Sequence, residues 1–598
     1  MTTLFVFALA LAALLLSGRR ACACTTVIVG KNASPTGCVI VGHNEDDSGR
    51  VSVRRGYVPA AEHAHLEVLP AEAGHAAIPQ AEKTHGFYWV QMKKASGGMS
   101  TADSFLNDCG VLIVSDSCAD SRENTEDASR LSEGGVGFNL RRIIAERAST
   151  AREAVEIAAS ILDRYGYVSS GRAYTAADAN EAWMLQVVSG KHYAARRIGD
   201  DEAAFIPNNY TIHEIDFDDT ENFIVSPGLK EYAISKGWYA PEQGPFDFAR
   251  VFQAPESWMQ PWNTYRSRAG YSLLMRRDFY SDESYPFSVK PPLPVGPELV
   301  MEILRSHYTG TVLDPQWARA PFPGGAPHDT EIRRICTGTT LESMVVVFGS
   351  RLENTVCWSS FGRPCELPYV PLHPLCGALP AVLSPMEDPS GELERHVLPD
   401  AARASWCGTE AQKFNDFQHL FELVYQEHEA EHERWIWSFE NGLARAQNAL
   451  TVNADALFES GRGEEARALI AQADAETAER VLSALASRRA ALGEMSVTAS
   501  PASASVSGGT VTFSFNPGAG RTPQEESLLL TMGTANARTQ GIRPKAGSLK
   551  REGETWQFDV SASELNTAEV AGTFDFWLGG RDEQGVSFGG GCLVTLTE

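Results

Sequence analysis

The chain opens on an unbroken apolar block. Residues 4–16 are all Leu, Phe, Val or Ala. Thirteen such residues are too few to cross a bilayer and match the hydrophobic region of a signal peptide. Ala21-Cys22-Ala23 then puts small residues where a signal peptidase reads. Cleavage after Ala23 leaves Cys24 as the first mature residue. Met1-Thr2-Thr3 lacks the usual basic residue, and Arg19 and Arg20 follow the block instead of preceding it. A cleaved export signal is the expectation, with an uncleaved anchor or a self-removed propeptide as alternatives. Signal peptidase and autocatalysis both stay open as the cleaving agent. Secretion or a periplasmic location follows, for a protein that is not integral to a membrane.

Beyond residue 24 the pattern alternates. Residues 25–29 and 38–42 read as two strands joined by a Gly-containing turn. Residues 111–115, 173–177 and 182–188 read as further strands. Residues 140–161 carry apolar positions near the helical period and predict one helix. From 409 to 492 the helical habit is continuous, with Phe417, Leu420, Phe421 and Val424 on one face. From 495 the pattern turns to strict alternation, as in Thr510-Val511-Thr512-Phe513-Ser514-Phe515. That tail predicts a small antiparallel β-sandwich. The expected organisation is a signal at 1–23, an α+β body at 24–400, a helical extension at 401–493 and the sandwich at 494–598.

Composition narrows the function. The 598 residues carry 76 acidic and 51 basic side chains, a net charge of −25. Such a surface repels phosphate backbones, so no nucleic-acid partner is expected. Eleven cysteines are present. Export would allow disulfides among them, whose connectivity the sequence leaves open. No Cys-x-x-Cys pair occurs, which argues against a structural zinc site.

Cleavage before Cys24 would create a nucleophile and a base on one residue. A free α-amine has a pKa of about 7.7–8.0, so part of it is neutral near pH 7 to 8. It could take the thiol proton, and the thiolate could attack an amide carbonyl. A hairpin would return His43-Asn44-Glu45-Asp46 beside Cys24, with Asp46 in place to hold the amine.

The stretch from Cys24 to Ser34, followed by Gly42-His43-Asn44-Glu45-Asp46, resembles the dipeptidase A (secernin-related) cysteine peptidases. These are N-terminal-nucleophile hydrolases, together with the penicillin V and bile-salt acylases. Ala173-Tyr174, Ala182-Trp183, Gly190-Lys191-His192, Pro207-Asn208-Asn209-Tyr210, His328-Asp329-Thr330 and Arg333 extend the likeness across roughly residues 24–480. The resemblance implies a four-layer αββα sandwich, Cys24 as nucleophile and base, Asp46 as amine partner and Asn208 as oxyanion donor. Asn209 is the alternative donor if the register slips by one. His43 stands where the acylases carry Arg, and a neutral imidazole cannot replace a guanidinium. A later arginine of the family corresponds to Arg268 or, equally, Arg266. No cofactor and no metal is implied, and small peptides are the expected substrates. Self-association stays open.

Three other readings compete. The same machinery would serve an acylase of linear amides. His428-Glu429-Ala430-Glu431-His432 has the His-Glu-x-x-His spacing of a zinc peptidase helix. Its surroundings are charged, as on a solvated helix face, and position 438, where a third His would follow, is Ser. A non-catalytic surface-binding protein is the third.

Overall fold

A computed structural model describes residues 24–597 apart from 48–50, 72, 95–100, 119–120, 123–130, 315–327, 329–332, 378, 384–385, 398–411, 533–540 and 566–570. The signal segment, Asp329, Thr330 and Cys407 therefore lie outside the described residues.

The N-terminal hairpin forms from Thr25–Val29 and Ile40–Asp46, antiparallel, with Thr25 opposite Asn44 and Val27 opposite Gly42. The second strand runs four residues past the predicted end at 42. It is paired on its far side by Thr340–Val347, which holds His43 to Asp46 extended. In a strand, alternate side chains take opposite faces. Cys24, Thr26, His43 and Glu45 thus share one face, and Thr25, Asn44 and Asp46 the other.

The hairpin is the inner part of a six-stranded antiparallel sheet. Its order is Ala203–Ile206, Thr25–Val29, Ile40–Asp46, Thr340–Val347, Val356–Ser360, Val370–Leu372. An eight-stranded antiparallel sheet runs Phe223–Val225, Tyr193–Arg197, Ala182–Gly190, Tyr167–Ala177, Leu112–Ser117, Thr101–Asn107, Phe87–Lys94, Val51–Val58. Both sheets are buried on two faces, so inner-strand stretches such as Val27-Ile28-Val29 and Leu112-Ile113-Val114 are apolar at successive positions rather than alternating.

Three apolar clusters account for this. Ile28, Val39 and Val41 meet Leu112, Val114, Ala173 and Met184 between the sheets. Val27, Ile40 and Val345 meet Val300 and Leu304 of the helix Pro297–Leu304 on the outer face of the six-stranded sheet. Phe105, Ile113 and Trp183 meet Leu140, Ile144 and Leu162 on the outer face of the eight-stranded one. Each fully buried large aliphatic side chain contributes roughly 1.5–3 kcal/mol. Gly42 is required by the packing: a Cβ there would stand 2.3 Å from Val300 Cγ1.

The single helix predicted at 140–161 is two, Asn139–Arg147 and Ala151–Tyr165. Thr150 Oγ1 accepts from the Glu153 N–H at 3.1 Å, a cap that starts a new helix inside an otherwise continuous apolar pattern. The long helical region is likewise a hairpin of Gln412–Glu459 and Gly463–Ala491, turned at Gly461 with φ +75°. Phe417, Leu420, Val481 and Leu485 join the outer cluster of the six-stranded sheet.

The tail forms two four-stranded sheets over one core that includes Val511, Phe513, Phe558, Phe576 and Val594. It is seated on the long helix. Trp577 joins the cluster of Phe421 and Leu423, and the Ser587 N–H donates to Glu427 Oε1 at 3.0 Å.

Candidate active site

Cys24 precedes the first strand directly, and its side chain points into the space between the sheets. It is 2% exposed. Its Sγ donates to Glu45 Oε2 at 3.2 Å, across the hairpin. The same carboxylate oxygen lies 3.3 Å from His43 Nε2. His43 Nδ1 is 2.9 Å from Thr26 Oγ1, which donates to Asp116 Oδ2 at 2.6 Å. Asp116 comes from Leu112–Ser117 of the opposite sheet, so the cluster spans the interior.

The charges follow from this burial. Loss of solvation, then the nearby Glu45, Asp116 and Asp46, push the Cys24 thiol well above its ordinary value. Burial alone would pull His43 down. The hydrogen bond to Glu45 and the charges of Asp116 and Asp103 outweigh it and raise the imidazole to about 9. At neutral pH an imidazole so raised carries a charge, unlike the neutral ring expected from the sequence. Desolvation pushes Asp116 up to about 7, against the pull of His43.

Asp46 lies on the opposite face of its strand, fully buried. Desolvation pushes it up to about 7, opposed by Arg333, Thr340 and Arg266. Arg333 Nη2 stands 4.0 Å from its Oδ2, and neither oxygen completes a hydrogen bond among the described residues.

Arg266, on the helix Pro261–Met275, joins the two faces. It is wholly buried, and neutral oxygens receive its guanidinium. Nε donates to the Trp262 carbonyl at 2.9 Å. Nη1 donates to the Cys24 carbonyl at 2.9 Å and Thr25 Oγ1 at 3.2 Å. Nη2 donates to Asn208 Oδ1 at 2.9 Å and Asn263 Oδ1 at 2.6 Å. Burial and the neighbouring Arg333 lower it to about 10, still cationic at neutral pH. Asn208 Nδ2 donates to the Ser117 carbonyl at 2.8 Å, which ties the arginine to the end of the opposite sheet.

The structure thus gathers Cys24, Asp46 and Asn208 around Arg266 and sets His43 beside Glu45 and Thr26 on the face of the Cys24 thiol. It does not bring Arg268 there. That side chain pairs with Asp278 in a bidentate bridge at 2.6 and 2.8 Å and lies over Tyr280. Two residues along a helix is a turn of about 200°, so Arg266 and Arg268 face opposite ways. Asn209 also points elsewhere, donating to its neighbour's carbonyl, Tyr210 O, at 3.1 Å. His428 and His432 form no joint site. His432 is buried, stacked among Phe417, Phe421 and Trp435, and donates through Nε2 to the Glu366 carbonyl at 2.9 Å. Burial drops it to about 3. His428 instead faces Glu431 at 3.8 Å.

Glu45 and Asp116 were not singled out from the sequence. The two-residue strand period would have found Glu45, had the strand been carried past Gly42. No local signal marks Asp116, which is 90 residues from Thr26.

The sequence profile of peptidase family C69 matches residues 23–392. The chain belongs to peptidase family C69. This is the dipeptidase A family of cysteine peptidases. Among curated C69-like relatives, a probable dipeptidase of Latilactobacillus sakei is 26% identical over 355 residues, 58% of this chain and 73% of its own. A probable dipeptidase of Salmonella dublin is 24% identical, covering 61% of this chain and 84% of its own. A dipeptidase of Bifidobacterium longum is 26% identical, covering 60% and 73%. Against the probable dipeptidases B of Streptococcus pyogenes the chain spans about half of their length.

Proposed function

We propose that this C69 peptidase is an exported dipeptidase whose mature form begins at Cys24 and acts through a thioester on that residue. The carrying observation is the buried Arg266 cradle, which holds the Cys24 carbonyl and Asn208 together beside the buried carboxylate of Asp46. The apolar block and small residues before Cys24 support export. The two sheets with helices packed outside each support a four-layer αββα N-terminal-nucleophile sandwich, extended by the helical hairpin and followed by the β-sandwich tail.

In the uncleaved chain the Cys24 nitrogen is an amide and cannot act as a base. Cleavage of the Ala23–Cys24 bond frees an amine, and a thiol held protonated by burial and carboxylates then has a base on its own residue. The amine takes the Sγ proton as sulfur attacks the substrate carbonyl. Negative charge moves to the carbonyl oxygen, where the free Nδ2 hydrogen of Asn208 can stabilise it. The C–N bond breaks as the ammonium returns the proton to the leaving amine. Water then adds to the thioester, losing its proton to the α-amine, and the acid departs with the thiol restored. Asp46, buried on the neighbouring strand, is suited to the ammonium that forms twice in this cycle.

The test is a panel of dipeptides and N-acyl amides run on mature protein and on Cys24→Ser. Dipeptide hydrolysis lost in the variant supports the proposal. Preference for acyl amides would reassign the substrate class, and no hydrolysis of either would make the chain a binding protein. N-terminal sequencing should read Cys-Thr-Thr, and another start would sink the mechanism. If Cys24→Ser stays uncut, cleavage is autocatalytic.

A further inference from the structure

A second cluster lies outside the site. His307 follows the helix Pro297–Leu304, Cys336 precedes the strand Thr340–Val347, and Cys365 follows the strand Val356–Ser360. His328 completes the group, and the four donor atoms all lie within 4.8 Å of one another. His307 Nε2 and His328 Nε2 are 3.2 Å apart, and the two sulfurs 3.5 Å. His328 Nε2 is 3.7 Å from Cys336 Sγ and 3.3 Å from Cys365 Sγ.

We propose that His307, His328, Cys336 and Cys365 bind a zinc ion as a closed tetrahedral structural site. Zinc bonds of about 2.3 Å to sulfur and 2.0–2.1 Å to nitrogen set the edges of such a tetrahedron. The edges are then about 3.8 Å between sulfurs, about 3.3–3.4 Å between nitrogens and about 3.6 Å between unlike atoms. The observed separations match that frame.

Hydrogen bonding alone does not account for the arrangement. A ring nitrogen offers either one N–H or one lone pair, so it has one good partner. His328 Nε2 has three close neighbours, as expected of donors converging on a common point. The other nitrogen of that ring, Nδ1, faces Glu366 Oε1 at 3.6 Å, longer than a hydrogen bond, on the side from which a carboxylate orients a metal-binding histidine. Glu366 is itself held by Arg363 at 2.8 Å and Gln418 at 3.0 Å.

The chemistry balances. Binding releases two thiol protons, and two thiolates with two neutral imidazoles cancel the charge of Zn²⁺, which suits a buried position. His307 and Cys365 also line a cavity of about 1160 Å³, which gives the ion a route in. Four protein ligands leave no open position, so the ion is structural. It would clamp the loop after the helix to the segment carrying Ile335, whose carbonyl accepts from Asn44 Nδ2 at 3.3 Å. Arg333, which faces Asp46, lies on that same segment.

The full-length chain, purified without chelator, should carry about one zinc per chain by elemental mass spectrometry. Cys336→Ser and Cys365→Ser should each fall to background, while Cys109→Ser and His432→Ala keep the metal. Where a variant fails to fold, cobalt(II) exchanged into the unmutated protein decides. Intense tetrahedral bands with thiolate-to-metal charge transfer support the site, and a pale octahedral spectrum overturns it. Protein that takes up no zinc after thiol reduction overturns it too. So does an intact mass showing a Cys336–Cys365 disulfide in the functional enzyme.

Discussion

Arg266 Nη2 donates to Asn208 Oδ1 across 2.9 Å of buried interior. A guanidinium can only donate, so this bond fixes the amide's oxygen toward Arg266 and its NH₂ toward Ser117 and the nucleophile's end of the sheet. The orientation of a proposed oxyanion donor is thereby set by a residue that need not touch substrate. Asn208→Ala should lower kcat about 100- to 1000-fold with the fold intact. Arg266→Lys should lower kcat as well, and should also destabilise, since each stranded buried acceptor costs about 1–3 kcal/mol. Steady-state kinetics beside thermal melts separate the two effects; an Asn208→Ala enzyme with unchanged kcat would remove the assignment.

Asp46→Asn separates charge from shape. The amide keeps the volume but cannot pair with an ammonium. A charge-assisted hydrogen bond contributes about 1.5–3 kcal/mol, so kcat/KM should fall roughly 10- to 100-fold. The same variant removes a buried carboxylate held at about 7 by desolvation, so its melting temperature at pH 8 should rise. Activity lost together with stability would mean that Asp46 is needed for folding instead.

Stability should decline as pH rises. Asp46 and Asp116 go from an ordinary 3.8 to about 7, and His43 from 6.5 to about 9. In each case the folded chain holds protons that the unfolded chain has already released. Stability therefore falls across pH 4 to 7 through the two carboxyls and across 6.5 to 9 through His43. Denaturant unfolding at several pH values reads the slope, and Asp46→Asn should flatten its lower part.

His43→Arg tests the need for a cation beside the thiol. Wild-type activity should fall above about pH 9, where His43 loses its proton. Arginine keeps its charge, so the alkaline limb of the pH–rate profile should move upward. A limb that stays in place belongs to another group.

Arg268→Ala should be close to silent. Its bridge to Asp278, which is more than half exposed, contributes about 0–1 kcal/mol, and it touches none of the site residues. A large loss of kcat would instead return Arg268 to the site.

Much of this was legible in the residues. The hairpin that returns residues 43–46 beside Cys24, the helical region and the alternating tail all rest on local periodicity and short spacing. The sequence also showed where to seek an arginine, without distinguishing Arg266 from Arg268. That distinction depends on which face of the helix Pro261–Met275 packs against the six-stranded sheet. The second strand reached Asp46 because Thr340–Val347 pairs with it from almost 300 residues away. The same holds for Asp116 beside Thr26, and for His307, His328, Cys336 and Cys365, whose separations of 8 to 29 residues fit no local motif. Short-range order follows from backbone propensity and the period of apolar positions, which a sequence states outright. Contacts between distant strands follow from how sheets stack and which faces they bury, and only the folded chain decides those.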